Sequence, residues 1–145
     1  MKQIYSSNGD VDKIIKQARE YAQDANHEYL MVEHLLLSLM HEKSFNNLLS
    51  ELGIETENLI GEIESYLDSI NLFAKEDQED GPKKTASLER VFNRAFTQVL
   101  FSGRQHIQVI DLFLSISSES NSHAAYFMIK YGLDRAKVVE YYNEN

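Results

Sequence analysis

The sequence has no Cys, no Trp, one Pro and six Gly among its 145 residues. Without Cys there is no disulfide framework and no thiolate chemistry, and a reducing cytoplasm is the expected setting. With one Pro there is little to interrupt a helix. No apolar run approaches the ~20 residues of a membrane-spanning helix, so no membrane partner is expected. The opening MKQIYSSNGD carries one Lys and lacks the apolar stretch of a secretory signal. Positive charge is also scarce: 14 Lys and Arg stand against 23 Asp and Glu, a net charge of −9. The deficit is uneven. Residues 1–74 hold 5 basic and 13 acidic side chains, residues 75–86 hold 3 and 4, and residues 87–145 hold 6 and 6. This argues against a nucleic-acid partner, because affinity for a phosphate backbone comes largely from Lys and Arg. It leaves room for a protein partner.

What is present is helical periodicity. Val11, Ile14, Ile15, Ala18 and Ala22 follow i, i+3, i+4, i+7 spacing, with Asp10 as the expected N-cap. Leu35, Leu36, Leu39 and Met40 mark a second helix. Leu48, Leu49 and Leu52 mark a third, stopped by Gly53. Leu59, Ile60, Ile63, Leu67 and Ile70 mark a fourth, with Thr56 expected to cap it. Alternation of period two does not persist anywhere, so strands are not expected.

The second half repeats the first. An offset of 77 residues carries Val11, Ile14, Ile15, Ala18 and Ala22 onto Leu88, Val91, Phe92, Ala95 and Val99. It also carries Leu35-Leu36-Leu37-Ser38-Leu39 onto Leu112-Phe113-Leu114-Ser115-Ile116. After a two-residue insertion, an offset of 79 carries Leu48, Leu49, Leu52 and Gly53 onto Phe127, Met128, Tyr131 and Gly132. The expected fold is therefore all-α: eight helices in two four-helix repeats related by a pseudo-two-fold axis. Each repeat is too small to bury much apolar surface alone, whereas two packed together share one core. The expected boundaries are an extension over residues 1–9, where disorder is anticipated, repeat one over 10–70, a linker over 71–86 and repeat two over 87–143. The linker, NLFAKEDQEDGPKKTA, is charged and lacks helical spacing, so it reads as an exposed connection.

Catalytic motifs are missing. Gly81-Pro82-Lys83-Lys84-Thr85 lacks the first Gly and the spacing of a phosphate loop, and there is no GxSxG elbow. His27-Glu28 begins like HExxH, but Met31 stands where the second His belongs. His27, His34 and His41 are spaced by seven, yet His27 falls in the turn before the helix. Three ligands would not converge, and surface or half-buried histidines are expected, with no metal and no cofactor. Phe73 and Tyr142 lie outside the apolar stripes and are the aromatics most free to act as surface contacts.

One segment is more specific. His27-Glu28-Tyr29-Leu30-Met31-Val32-Glu33-His34-Leu35-Leu36-Leu37-Ser38-Leu39 resembles the HE[FY]xTVEHLLLAL segment of the Clp N-terminal domain, found at the front of Clp-type AAA+ unfoldases. Ser87-Leu88-Glu89-Arg90-Val91-Phe92-Asn93-Arg94-Ala95 resembles the SFQRVLQRA start of that domain's second repeat. Ser102-Gly103-Arg104 and His123-Ala124-Ala125-Tyr126 add to the likeness. It runs over residues 10–142 and is nearest the ClpA type. Met31 departs from the pattern by replacing a Thr that would cap the second helix. That change costs ~1 kcal/mol unless another group caps the helix.

The resemblance implies a docking module with no chemistry of its own, tethered in cis to a Clp ATPase ring and working indirectly with the ClpP peptidase. It implies a ClpS-type adaptor and unfolded or tagged protein substrates as partners, a monomeric isolated domain and a bacterial-type cytoplasmic location. The family's adaptor-binding residues fall on Glu28, Glu33, Thr85, Arg90 and Arg135. The alternative is a free-standing accessory protein of the same fold that binds and modulates the Clp complex. An enzyme using the His set is the remaining rival class.

Overall fold

A computed structural model describes residues 6–7, 9–70, 73–74 and 80–144. Among them are eight helices: α1 (Gly9–Asp24), α2 (Val32–Met40), α3 (Lys43–Glu51), α4 (Thr56–Ser69), α5 (Ala86–Ser102), α6 (Val109–Ser117), α7 (His123–Lys130) and α8 (Arg135–Glu144). The all-α duplication expected from the sequence is the fold observed. No helix of the described residues is long and apolar enough to cross a membrane.

Two helices form the centre. All nine residues of α2 are buried, as are seven of the nine in α6. A helix buried on every face must lie inside a protein of this size, and these are the two most apolar helices in the chain. Around them α1 and α5 bury equivalent stripes: Val11, Ile14, Ala18 and Ala22 in one, Leu88, Val91, Ala95 and Val99 in the other. The duplication extends to hydrogen bonds. Ser38 Oγ donates to the Ile14 carbonyl at 2.6 Å, and Ser115 Oγ donates to the Val91 carbonyl at 2.6 Å. Each hydroxyl thus ties a central helix to its flanking helix at the same place in its repeat.

The helix ends follow local chemistry. Thr85 Oγ1 accepts the Leu88 N–H at 3.1 Å, and Ser122 Oγ accepts the Ala125 N–H at 3.0 Å. Gly53 at φ +88° and Gly132 at φ +77° close α3 and α7. Beyond them Ile54 N–H reaches the Leu49 carbonyl and Leu133 N–H reaches that of Met128, as in a Schellman motif. Two expected caps lie elsewhere. α1 starts at Gly9, which puts Asp10 in its first turn. Glu55 precedes α4, while Thr56 is its first residue and turns a buried hydroxyl toward Ser50 and Asn46.

Strands of two residues are present, which the sequence periodicity did not announce. β1 (Ser6–Ser7) pairs in parallel with β4 (His106–Ile107), and β2 (Tyr29–Leu30) pairs in parallel with β3 (Lys83–Lys84). Two residues are too few to show a period. The first pair orders part of the 1–9 extension; residues 1–5 and 8 lie outside the described residues. The second pair corrects the reading of the linker as wholly exposed. Gly81 and Pro82 are buried, and Arg19 Nη1 donates to the Pro82 carbonyl at 3.2 Å. Most of residues 71–79 lie outside the described residues.

Candidate docking surface

The chain passes from repeat one to repeat two along a single edge. Lys83 N–H donates to the Glu28 carbonyl at 3.0 Å, and Thr85 N–H donates to the Leu30 carbonyl at 3.1 Å. These bonds fix Glu28 beside the residues that lead into α5. Thr85 caps that helix, and Arg90 follows within two turns. Arg90 is 57% exposed, yet its guanidinium is held: Nε lies 3.0 Å from Glu119 Oε2, and Nη2 reaches Ser87 Oγ at 2.9 Å. Arg94 takes the other oxygen of Glu119 at 3.0 Å and the Ser115 carbonyl at 2.8 Å. Arg90 first, then Arg94, pull the Glu119 carboxyl below its ordinary range against the opposing effect of burial. A charged guanidinium is thereby oriented at the surface by a carboxylate that is itself 8% exposed.

Glu28 and Thr85 are thus brought onto one edge, and Arg90 follows on the helix that leaves it. Glu33 is placed differently. It is 6% exposed, and its Oε2 accepts the Ala124 N–H at 2.9 Å. The carboxylate sits at the N-terminus of α7, where an acceptor and a negative charge are both favourable. It joins repeat one to repeat two inside the protein. Arg135 is exposed, opens α8 and borders a shallow surface with Leu114 and Val139. No hydrogen bond or ion pair among the described residues links it to Glu28, Thr85 or Arg90. Sequence reading passed over Lys83 and Lys84, exposed cations on β3 at this edge. Their only signal was the basic half of the linker.

Immediately before Glu28 lies a pair of buried histidines. His27 is 4% exposed and His34 0%, whereas His41 is exposed. The expectation of surface or half-buried histidines therefore fails for two of the three. The turn before β2 folds His27 over α2, so that its Nδ1 meets His34 Nε2 at 2.9 Å. Met31 makes no side-chain cap bond. Its own N–H donates to His34 Nδ1 at 2.9 Å, the return half of a capping box, while the His34 N–H that a Thr hydroxyl would accept turns to the Met31 carbonyl at 3.1 Å. The bond to Nδ1 sets the proton positions. With Nδ1 accepting, neutral His34 carries its proton on Nε2 and donates it to His27. Burial first, and His27 second, lower His34 from 6.5 to about 4. Burial also lowers His27, opposed by Asp68.

The same positions in repeat two hold an ion pair. The offset of 77 carries His27 to Arg104 and His34 to Asp111. Arg104 Nη1 and Nη2 contact Asp111 Oδ2 and Oδ1 at 2.8 and 2.7 Å. Asp111 Oδ2 also accepts the Gln108 N–H at 2.7 Å, as His34 accepts that of Met31. Among the described residues no group of three or more His, Asp or Glu is arranged to hold a metal ion. Phe73 is 47% exposed with its ring 5.8 Å from His27, while Tyr142 is half-buried against the core.

The fold is shared with known proteins. The model of the Clp repeat (R) N-terminal domain matches residues 8–131. A ClpA homolog protein of Fuscovulum blasticum is 28% identical over 142 residues, which cover 96% of this chain and 18% of that protein's length. The Hsp104 N-terminal domain from Candida albicans superposes with a TM-score of 0.76 at 14% identity, covering 94% of this chain and 88% of that one. The N-terminal domain of the caseinolytic protease associated chaperone ClpD from Arabidopsis thaliana gives 0.68 at 17%, covering 93% and 90%. With its two four-helix repeats and the family match over most of its length, this chain belongs to the Clp repeat (R) N-terminal domain family.

Proposed function

We propose that the chain is an adaptor- and substrate-docking module of a Clp-type ATPase and performs no chemistry itself. It acts in the cytoplasm as a monomeric domain beside its ring, and it holds cargo near the pore by raising effective concentration. The observation that supports this most is the edge formed by β2, β3 and the start of α5. There backbone pairing fixes a glutamate and a capping threonine, and Glu119 orients an arginine on the helix that follows. Such an edge suits a partner that docks through charge-assisted bonds, which set register and orientation. The ClpA homolog, more than five times as long as the matched segment, favours attachment to a ring over a free-standing protein.

The partner assigned to the edge is a ClpS-type adaptor, contacted by Glu28, Thr85 and Arg90, with Arg135 as a further contact from α8. Glu33 contributes from inside by fixing α7 against α2. Titration of the domain with its cognate ClpS-type adaptor should show saturable binding, weakened by Glu28→Lys and by Arg90→Glu. Absence of binding to any cognate adaptor by the intact domain would remove the adaptor from this reading.

A further inference from the structure

The pseudo-two-fold axis relates two crevices where the repeats meet, and they are finished differently. One lies between α4 and α7 and is closed by the protein's own side chains. Lys130 Nζ contacts Glu62 Oε2 at 2.7 Å and lies 5.9 Å from the Tyr131 ring centroid. His123 stacks on Tyr66 with centroids 4.3 Å apart. The other lies between α3 and α8. The offset of 79 carries Glu51 onto Lys130, Ser44 onto His123 and Glu62 onto Tyr141. Here the cation is replaced by a carboxylate and the stacking ring by a small hydroxyl. The result is an open groove of about 560 Å³.

The groove's surface is specific in kind. Phe45, Leu48 and Val109 supply apolar wall, Tyr141 and Tyr142 supply rings, and Asp10, Glu42 and Glu51 supply carboxylates. No Lys or Arg lines it among the described residues. Glu51 accepts the Tyr141 hydroxyl and Glu42 accepts the Phe45 N–H, both neutral donors that leave the carboxylate charge uncancelled. Arg104, which acts electrostatically on Tyr142, is committed to Asp111 by two bonds. Burial, then Asp111, raise the Tyr142 phenol above its ordinary value, and Glu42 and Asp10 push the same way.

We propose that this groove docks an extended peptide segment of a partner protein in which a lysine or arginine neighbours an apolar side chain. The twin crevice shows the same pairing with the roles exchanged: its lysine stands where Glu51 stands and its carboxylate where Tyr141 stands, so this groove offers a carboxylate and rings in place of a cation. A guest cation would meet Glu51 and Glu42 and lie against the Tyr141 and Tyr142 rings, as cations favour aromatic faces. Its apolar neighbour would cover Phe45 and Leu48. This site is built from α3, α8 and the starts of α1 and α6, and it stands independently of the adaptor edge on β2, β3 and α5.

The test is fluorescence anisotropy of the full chain with a labelled short peptide alternating lysine and leucine, and with its glutamate-for-lysine counterpart. The lysine peptide should bind in a salt-sensitive way and the glutamate peptide should not. Glu51→Lys, which installs the residue of the twin crevice, should weaken binding by about tenfold, as should Glu42→Gln with Glu51→Gln. Glu57→Lys, an exposed change of equal charge on α4, should leave affinity intact and so exclude a net-charge effect. Amide and ring resonances of Tyr141 and Tyr142 should move on titration. Circular dichroism should show that the variants remain folded; these surface sites leave the core untouched. Failure of the lysine peptide to bind, equal binding by both peptides or full affinity in Glu51→Lys would overturn the proposal. So would a self-associated chain that Glu51→Lys dissociates, since the occupant would then be a second copy.

Discussion

Acidification should weaken this protein in a pH window set by His34, before its carboxylates protonate. Every proton added to the buried pair removes a hydrogen bond. On His34 it would occupy Nδ1 and face the Met31 N–H, and on His27 it would occupy Nδ1 and face the Nε2–H of His34. The groups around the pair are few. Tyr21 on α1 lies 6.0 Å from His34 between ring centroids, Asp68 on α4 acts on His27, and Phe73 covers the outer ring. Because the folded-state value is below the unfolded one, the unfolded chain binds the extra proton and stability rises with pH. The contribution is complete above about pH 6.5, declines through the interval, and is gone below about pH 4. The fall from 6.5 to about 4 corresponds to about 3 kcal/mol at 1.36 kcal/mol per unit, with about 2 kcal/mol already lost at pH 5.

Urea denaturation at pH 7.5 and pH 5 measures this directly, and a thermal midpoint lowered by roughly 4–8 °C should accompany it. The decisive variant copies the twin repeat into the first. His27→Arg with His34→Asp replaces the titrating pair by the kind of ion pair seen at Arg104 and Asp111. Its stability should be nearly flat between those two pH values, and a steep dependence should return only where carboxylates protonate. Equal wild-type stability at both pH values, or a His34 resonance titrating near 6.5, would refute the reasoning.

Two further outcomes test the polar ties between elements. Glu33→Ala leaves the Ala124 N–H buried without its acceptor, and should cost about 1–3 kcal/mol in urea denaturation. If Glu33 acts only by fixing α7, any effect on adaptor binding should vanish under conditions where the variant is fully folded. Ser38→Ala and Ser115→Ala each delete one hydroxyl-to-carbonyl bond, and each should cost about 1 kcal/mol. The double variant should lose the sum within about 0.5 kcal/mol if the two sites act independently.

The features legible in the sequence are those a repeat makes with itself. The stripes of α1 and α5, the apolar runs of α2 and α6, and the stops at Gly53 and Gly132 follow from helical period and left-handed backbone. Neither depends on what lies across the interface. What escaped depends on chain segments meeting at a distance. The period of a helix shows which face of α2 is apolar, but not that Glu33 on that buried helix finds the N-terminus of α7. Placing His27 in the turn before the helix argued against convergence, yet that turn and the two residues of β2 bring its ring onto His34. β2 and β3 were invisible because two-residue strands carry no pattern, yet they assemble the edge on which Glu28 and Thr85 sit.

The duplication supplies what a single sequence otherwise lacks, an internal reference for each position. Where both copies keep the same chemistry, as with Ser38 and Ser115 or Gly53 and Gly132, the residue serves what the repeats share, which is packing and chain reversal. The apolar stripes diverge within their own class, as Ala22 and Val99 or Leu36 and Phe113 do, and the changes of chemical kind involve polar residues: His27 against Arg104, His34 against Asp111, Glu33 against Ile110, Glu51 against Lys130. A core that must stay close-packed limits apolar divergence, because volume changes there cost stability. Charges at the crevices and edges carry no such constraint. The lopsided charge of the first repeat follows from this freedom, and at exposed positions such as Glu51 and Lys130 the two halves offer partners different surfaces.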